Sequence, residues 1–160
     1  MDAVIQCFKA EFERFWAMLE KQAEICPEKL WGQKAGGYVF WQQIWHTIAC
    51  AEMFITEDPA GKLPLMEKYS RDVVMFNQTL EPAPDKTEIL AEAGRIKTRV
   101  LDYYDGMRTA DLEREHPSMT RRLGRPQSKQ NAALALIRHC AYHVGCCDAV
   151  LREHGLKGVY

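Results

Sequence analysis

Apolar residues along this chain recur at three- and four-residue steps in four long segments, with polar residues between them. The first segment runs from about Asp2, a good N-cap residue, to Ile25, where Cys26-Pro27 ends it. Its apolar positions fall on one stripe, which is typical of a helix with one buried face. They are Ile5, Phe8, Phe12, Phe15, Trp16 and Leu19.

The second segment, from about Tyr38 to Glu57, is apolar on nearly every side. Gly36-Gly37 precede it and Pro59 limits its length. A helix with apolar residues all round is buried rather than half-exposed. This pattern therefore predicts the central helix of the domain.

The third and fourth segments carry recognisable helix ends. The third runs from about Asp85 to Met107 and begins with a capping-box-like Asp85 and Glu88. The fourth runs from about Ser128, a plausible N-cap, to His154, with Gly155 in the position after the helix. The connection over residues 58–84 is rich in proline and predicts at most a short helix at about 65–80.

These segments predict an all-α protein, because none alternates with the period of two that a strand requires. Helices of about 20 to 27 residues are about 30 to 40 Å long, and they bury their stripes together by packing lengthwise. We therefore expect a four-helix bundle. The 160 residues are enough for one domain spanning 1–160.

Composition narrows the classes of function. The net charge of −1 gives no general attraction to nucleic acid or anionic lipid, and no apolar run approaches the roughly 18 residues of a membrane span. The N-terminal residues do not resemble a signal peptide, so we expect a cytoplasmic protein without nucleic-acid or membrane partners. In that compartment the six cysteines are interpreted as free thiols, most of them small core residues.

Three histidines are the candidate residues for a functional site. His139 and His143 lie one helical turn apart on the apolar side of the fourth helix, a spacing that lets two imidazoles converge on one cation. His46 lies in the middle of the buried second helix, where an imidazole requires a partner. These residues predict a three-histidine site for one divalent metal ion. The alternative is that each ring is an ordinary hydrogen-bonded core histidine.

Other polar residues have less specific interpretations. Gln42, one turn before His46, can orient a ligand or form a core hydrogen bond, and Glu52 projects away from the His46 bearing. A basic connection precedes the fourth helix; we interpret it as a solvated loop, and attraction of an anionic substrate is the alternative. It comprises Arg114, Arg121, Arg122, Arg125 and Lys129.

Two motifs resemble a known family. The run Trp-Gln-Gln-Ile-Trp-His-Thr-Ile at Trp41–Ile48 is similar to the first metal-ligand helix of the DinB-like (YfiT-type) superfamily. The run His-Cys-Ala-Tyr-His-Val-Gly at 139–145, followed by Leu-Arg-Glu-His-Gly at 151–155, resembles that family's last helix. Helix order and chain length agree along nearly the whole sequence.

The resemblance implies a four-helix bundle, often a homodimer, that binds zinc, nickel or another divalent ion. Carried over to this sequence, the ligands are His46, His139 and His143. Some relatives transfer low-molecular-weight thiols to electrophiles or use them in isomerisation, and others are described as metal-dependent hydrolases. We therefore expect a metal-dependent thiol S-transferase or hydrolase with a small-molecule substrate. A non-catalytic metal-binding or interaction bundle is the alternative.

Overall fold

Long helices make up most of the structure, a computed structural model that describes residues 2–160. The elements in chain order are α1 (Ala3–Ile25), α2 (Glu28–Trp31), β1 (Lys34–Ala35), β2 (Tyr38–Val39), α3 (Phe40–Ile55), α4 (Pro64–Lys68), α5 (Arg71–Val74), α6 (Lys86–Asp105), a 3-10 turn (Thr109–Asp111), α7 (Pro117–Leu123) and α8 (Lys129–Glu153). The four longest helices, α1, α3, α6 and α8, correspond to the four segments expected from the sequence.

Side-chain caps fix where three of these helices begin. The carboxylate of Asp2 accepts from the Val4 amide at 3.2 Å, and that of Asp85 accepts from the Thr87 amide at 2.7 Å. The Ser128 hydroxyl accepts from the Asn131 amide at 3.1 Å. Each bond satisfies an amide that the first helical turn leaves without a partner.

The four long helices pack as a bundle. Both α1 and α3 contact α6 and α8 extensively and touch each other little, so α1 and α3 lie on opposite sides of the bundle. The Trp16 indole donates to the Ala93 carbonyl at 3.2 Å, and the Gln22 amide donates to the Val144 carbonyl at 2.8 Å. These bonds join α1 to α6 and to α8. The prediction of an all-α bundle is confirmed.

The central helix is buried as its pattern predicted. In α3 every residue apart from Met53 and Ile55 is buried, and Trp41 and Trp45 are fully inaccessible. Polar side chains on such a helix must find partners inside the protein. His46 is one of them.

A short β-hairpin, which the sequence did not predict, precedes α3. Lys34 pairs with Val39 and Ala35 with Tyr38, so the helix begins at Phe40 rather than at Tyr38. Gly36 and Gly37 form the turn with φ of 60° and 93°, which glycine adopts without strain. Two-residue strands are too short to produce an alternating pattern.

The proline-rich connection folds over α3 as two short helices, α4 and α5, in place of the single short helix expected. The Glu52 carboxylate accepts from the Leu65 amide at 2.9 Å and from Arg99 at 2.6 Å. The Gln42 amide donates to the carbonyls of Val73 at 2.5 Å and Gln78 at 2.6 Å. Two buried side chains of α3 therefore hold this connection in place.

The cysteines and the hydropathy of the helices agree with the expectations from composition. All six thiols are free, and Cys26, Cys50, Cys140 and Cys147 are buried. Within residues 2–160, each helix is either too short or too polar to cross a lipid bilayer.

Candidate metal centre

The packing of α3 against α8 brings the three candidate histidines together. The rings of His139 and His143, on successive turns of α8, have centroids 4.6 Å apart. The His46 ring of α3 lies 4.9 Å from the first and 4.8 Å from the second. One nitrogen from each ring can be chosen so that all three lie within 4.8 Å of one another, a group able to hold a metal ion.

A backbone carbonyl fixes the orientation of His46. The Nδ1 atom of His46 donates to the Val74 carbonyl at 2.7 Å, because a carbonyl can only accept. A neutral ring protonated at Nδ1 carries its lone pair on Nε2. That Nε2 lies 2.9 Å from Nε2 of His139. The lone pair of His46 therefore points towards His139.

Two other ring nitrogens in the group have no protein partner. Nδ1 of His139 and Nδ1 of His143 are both buried without a hydrogen bond among the residues described. A buried polar atom left in this state is costly and is rare in native structures. Neutral imidazole nitrogens are preferred ligands of zinc and similar ions, so these residues fit a shared cation.

Burial keeps the three rings neutral. Burial, with a smaller contribution from the neighbouring imidazoles, lowers the pKa of His139 to about 4 and that of His143 to about 3. Burial also lowers the pKa of His46, against an opposing effect of its bond to Val74. Neutral rings at pH 7 offer lone pairs without first releasing a proton.

A cavity of about 750 Å³ opens beside the histidines. Its wall includes His46 and His139, together with apolar side chains such as Phe54 and Met66. This volume is within the usual range for small-molecule sites. A substrate in the cavity would therefore contact two of the three candidate ligands.

The fold and the histidine group agree with a family comparison. The sequence model of the DinB superfamily matches residues 11–147, from α1 into the second half of α8. The chain belongs to the DinB superfamily. The matched region contains His46, His139 and His143. A comparison with curated proteins finds no match.

One aromatic ring near the centre of this DinB superfamily protein was not anticipated from its sequence. Phe76, at a positive φ of 63°, places its ring 4.6 Å from that of His46 and 6.3 Å from that of His143. It does not line the 750 Å³ cavity. Phe76 therefore covers the histidines with apolar surface away from that cavity.

The structure also shows how close two buried cysteines lie to the histidines, which the sequence does not indicate. The Cys50 sulfur lies 3.6 Å from Nε2 of His46 and lines the cavity, and burial raises the pKa of its thiol to about 12. Cys50 is outside the group of three potential ligands. Cys140 is fully buried and is not part of the cavity wall.

A fourth histidine, His116, is the N-cap of α7 and is fully buried. Its Nδ1 accepts from the Met119 amide at 3.3 Å, so its Nε2 is the protonated nitrogen and donates to the Phe54 carbonyl at 2.9 Å. Both ring nitrogens therefore have partners. This histidine ties α7 to the end of α3 and has no nitrogen left for a metal.

The role of His116 predicts a pH effect on stability. Burial lowers its pKa below the ordinary 6.5, so between the two values the unfolded chain binds more protons. Neutral His116 therefore makes its full contribution to the free energy of unfolding above pH 6.5, and this contribution is lost as the pH falls below 6.5.

In the variant His116→Asn the amide oxygen still accepts from the Met119 amide but does not titrate. We expect the stability advantage of wild type over this variant to shrink from pH 7 to pH 5, measured by urea unfolding; a constant difference would contradict the assignment.

Proposed function

We propose that this protein is a metal-dependent enzyme that binds one divalent cation, zinc or nickel, through His46, His139 and His143. The observation that carries the proposal is the opening of two of these three neutral imidazoles into a cavity of about 750 Å³. Three protein ligands leave a coordination position for substrate, which is characteristic of catalytic rather than structural sites. A non-catalytic metal-binding bundle has no need of such a cavity.

The bound cation would lower the pKa of a coordinated thiol or water and so supply a nucleophile at neutral pH. The chain's own residues would position the reactants. The Val74 carbonyl holds His46 in the tautomer that presents Nε2. Gln42, through the carbonyls of Val73 and Gln78, holds the segment that carries Val74. Phe76 and Phe54 keep apolar surface against the imidazoles.

The positions of the carboxylates described near the histidines favour a thiol over water as the nucleophile, because none of them is placed to act as a general base. Glu52 is committed to Arg99 and to the Leu65 amide, so it is not available as a general base. Among the described residues that line the cavity, the one carboxylate is Glu67, which is exposed on α4. A cation held by the three histidines would lower the pKa of a bound thiol far enough for the thiol to lose its proton without a general base. We therefore place S-transfer of a low-molecular-weight thiol before hydrolysis.

A thiol-transfer assay tests this function. Protein loaded with zinc or nickel is mixed with glutathione or L-cysteine and 1-chloro-2,4-dinitrobenzene, whose aromatic carbon forms a thioether as chloride leaves. We expect the rate of the loaded wild type to exceed that of His143→Ala at least about tenfold, because a cation at the histidines would raise the fraction of the thiol that is present as thiolate at neutral pH. His154→Ala, which removes an exposed histidine from the end of α8, is the matched control and keeps the wild-type rate.

Two results of this assay would redirect the proposal. Equal rates in wild type and His143→Ala for every thiol and both metals would contradict S-transfer. Metal-dependent cleavage of p-nitrophenyl acetate without added thiol would assign the hydrolase reaction instead.

We further propose that residues 1–160 form a single domain that acts as a homodimer in the cytoplasm on a small-molecule substrate. The lengthwise packing of α1, α3, α6 and α8 around one core supports a single domain. Light scattering on the purified wild-type protein measures the oligomeric state; a monomeric mass would remove the homodimer.

A further inference from the structure

The cavity beside the histidines has a cationic wall. Lys62, Arg71, Arg121 and Arg122 line it, against the single carboxylate of Glu67. The two histidines that line the same cavity, His46 and His139, are neutral at pH 7, because burial lowers their pKa values. The cavity therefore carries an excess of positive charge in a protein whose overall net charge is −1.

Most arginines elsewhere in the structure are paired with a carboxylate. Those with an Asp or Glu oxygen within 4.0 Å are Arg14, Arg95, Arg99, Arg108, Arg114 and Arg152. Within residues 2–160, Arg71, Arg121 and Arg122 form no such pair. Three unneutralised guanidinium groups thus lie around one cavity.

These three groups come from two elements that the fold brings to the same place. Arg71 is the first residue of α5, and Arg121 and Arg122 lie near the end of α7. Burial lowers the pKa of Arg122, and the positive charges of Arg71 and Arg121 also lower it, so Arg122 lies near enough to both for their charges to repel its own. A bound anion would relieve that repulsion.

The guanidinium groups keep donors free for such an anion. Arg122 donates from Nε to the Ser118 hydroxyl at 3.3 Å, and Arg121 donates to the Pro59 carbonyl at 3.3 Å. Each guanidinium has five N–H donors in a planar fork that matches the oxygens of a carboxylate or phosphate. One hydrogen bond each leaves most of them available and holds the side chain in place.

We propose that Arg71, Arg121 and Arg122 form a subsite for an oxyanion group, a carboxylate or a phosphate, on a substrate whose reacting atom lies at the histidine group. This inference rests on the proposed function in taking the cavity as the substrate chamber. Of the two interpretations of the basic connection, a solvated loop or attraction of an anionic substrate, the proposal favours the second for Arg121 and Arg122. It also adds Arg71, which lies about fifty residues earlier in the chain.

Calorimetric titration of the full-length protein with succinate and with inorganic phosphate tests the subsite. The titrations are made at low ionic strength on metal-free wild type, so that neither anion can bind to a metal. We expect Arg121→Gln and Arg122→Gln each to weaken binding about fivefold to tenfold, as expected for loss of a charge-assisted hydrogen bond near solvent. Arg122→Lys, which keeps the charge without the fork, is expected to fall between wild type and Arg122→Gln.

Arg125→Gln is the matched control, because Arg125 is exposed in the same connection and does not line the cavity. Unchanged binding in this control, with weaker binding in the cavity variants, supports the subsite. Binding of one anion alone assigns carboxylate or phosphate. The proposal is overturned if Arg125→Gln weakens anion binding as much as the cavity variants do, or if neither anion binds to the wild type. The readout is independent of metal and of thiol transfer, so failure of the proposed function leaves this result interpretable.

Discussion

His46→Ala and His143→Ala proteins are expected to retain almost no divalent metal, whereas the wild type retains about one ion per chain. Each substitution leaves two imidazoles, and His46→Ala also removes the ring that α3 contributes. Substitution of a residue that only orients a metal ligand reduces the affinity for the metal about 10- to 100-fold. Removal of a ligand itself is therefore expected to reduce that affinity more than about 100-fold. Metal analysis of untagged protein, dialysed against zinc or nickel and then against buffer, measures the retention.

The control for this experiment is His154→Ala, whose imidazole is exposed and bonded to the Val150 carbonyl at 2.8 Å. It removes one histidine without touching the group of three, so it is expected to hold metal as wild type does. Circular dichroism of each variant establishes that the bundle has formed. Equal metal content in wild type, His46→Ala and His143→Ala would remove the proposed site and leave the fold intact.

Glu52→Leu is expected to reduce the free energy of unfolding by about 2–4 kcal/mol, the range for breaking a buried charged hydrogen-bond network. The Glu52 side chain is 1% exposed and accepts from both Leu65 and Arg99. Leucine fills a similar volume but leaves the Leu65 amide without its acceptor. Arg99 is half exposed and recovers hydration, which keeps the loss below that of a fully buried ion pair.

Urea unfolding measures this loss, with Glu67→Leu as the control. Glu67 is an exposed carboxylate of the same connection without an ion pair among the described residues, so its replacement is expected to change stability by no more than about 0.5 kcal/mol. Glu52→Gln, which retains an acceptor for Leu65, is expected to lie between the two. A Glu52→Leu protein as stable as wild type would show that the connection does not depend on this carboxylate.

The long helices and the histidine group could be predicted because their signals are local and strong. The stripe from Ile5 to Leu19 repeats over several turns, and the caps Asp85 and Ser128 are short-range. His139 and His143 share a face through helical spacing alone. His46 was identifiable because a polar ring on a wholly apolar helix needs a partner, although the sequence left open whether that partner was a metal.

The parts of the site that escaped prediction depend on tertiary contacts without a side-chain signature. Val74 acts through its backbone carbonyl, which every residue possesses, and Phe76 depends on a positive φ that phenylalanine rarely adopts. Arg71 reaches the cavity because the connection folds back over α3. His116 precedes a proline in a polar stretch, so its complete burial had no pattern to announce it.

The bond between His46 and the Val74 carbonyl extends the centre beyond the bundle itself. Val74 ends a four-residue helix that is too short to be stable alone and is held down by Gln42. If that single turn frays, the imidazole of His46 loses its hydrogen bond to the Val74 carbonyl and is free to rotate or to exchange tautomer. The affinity of the proposed site for a cation would then depend partly on the local order of this peripheral segment. Sequence drift or proteolytic nicking there would alter metal occupancy while leaving all three histidines in place.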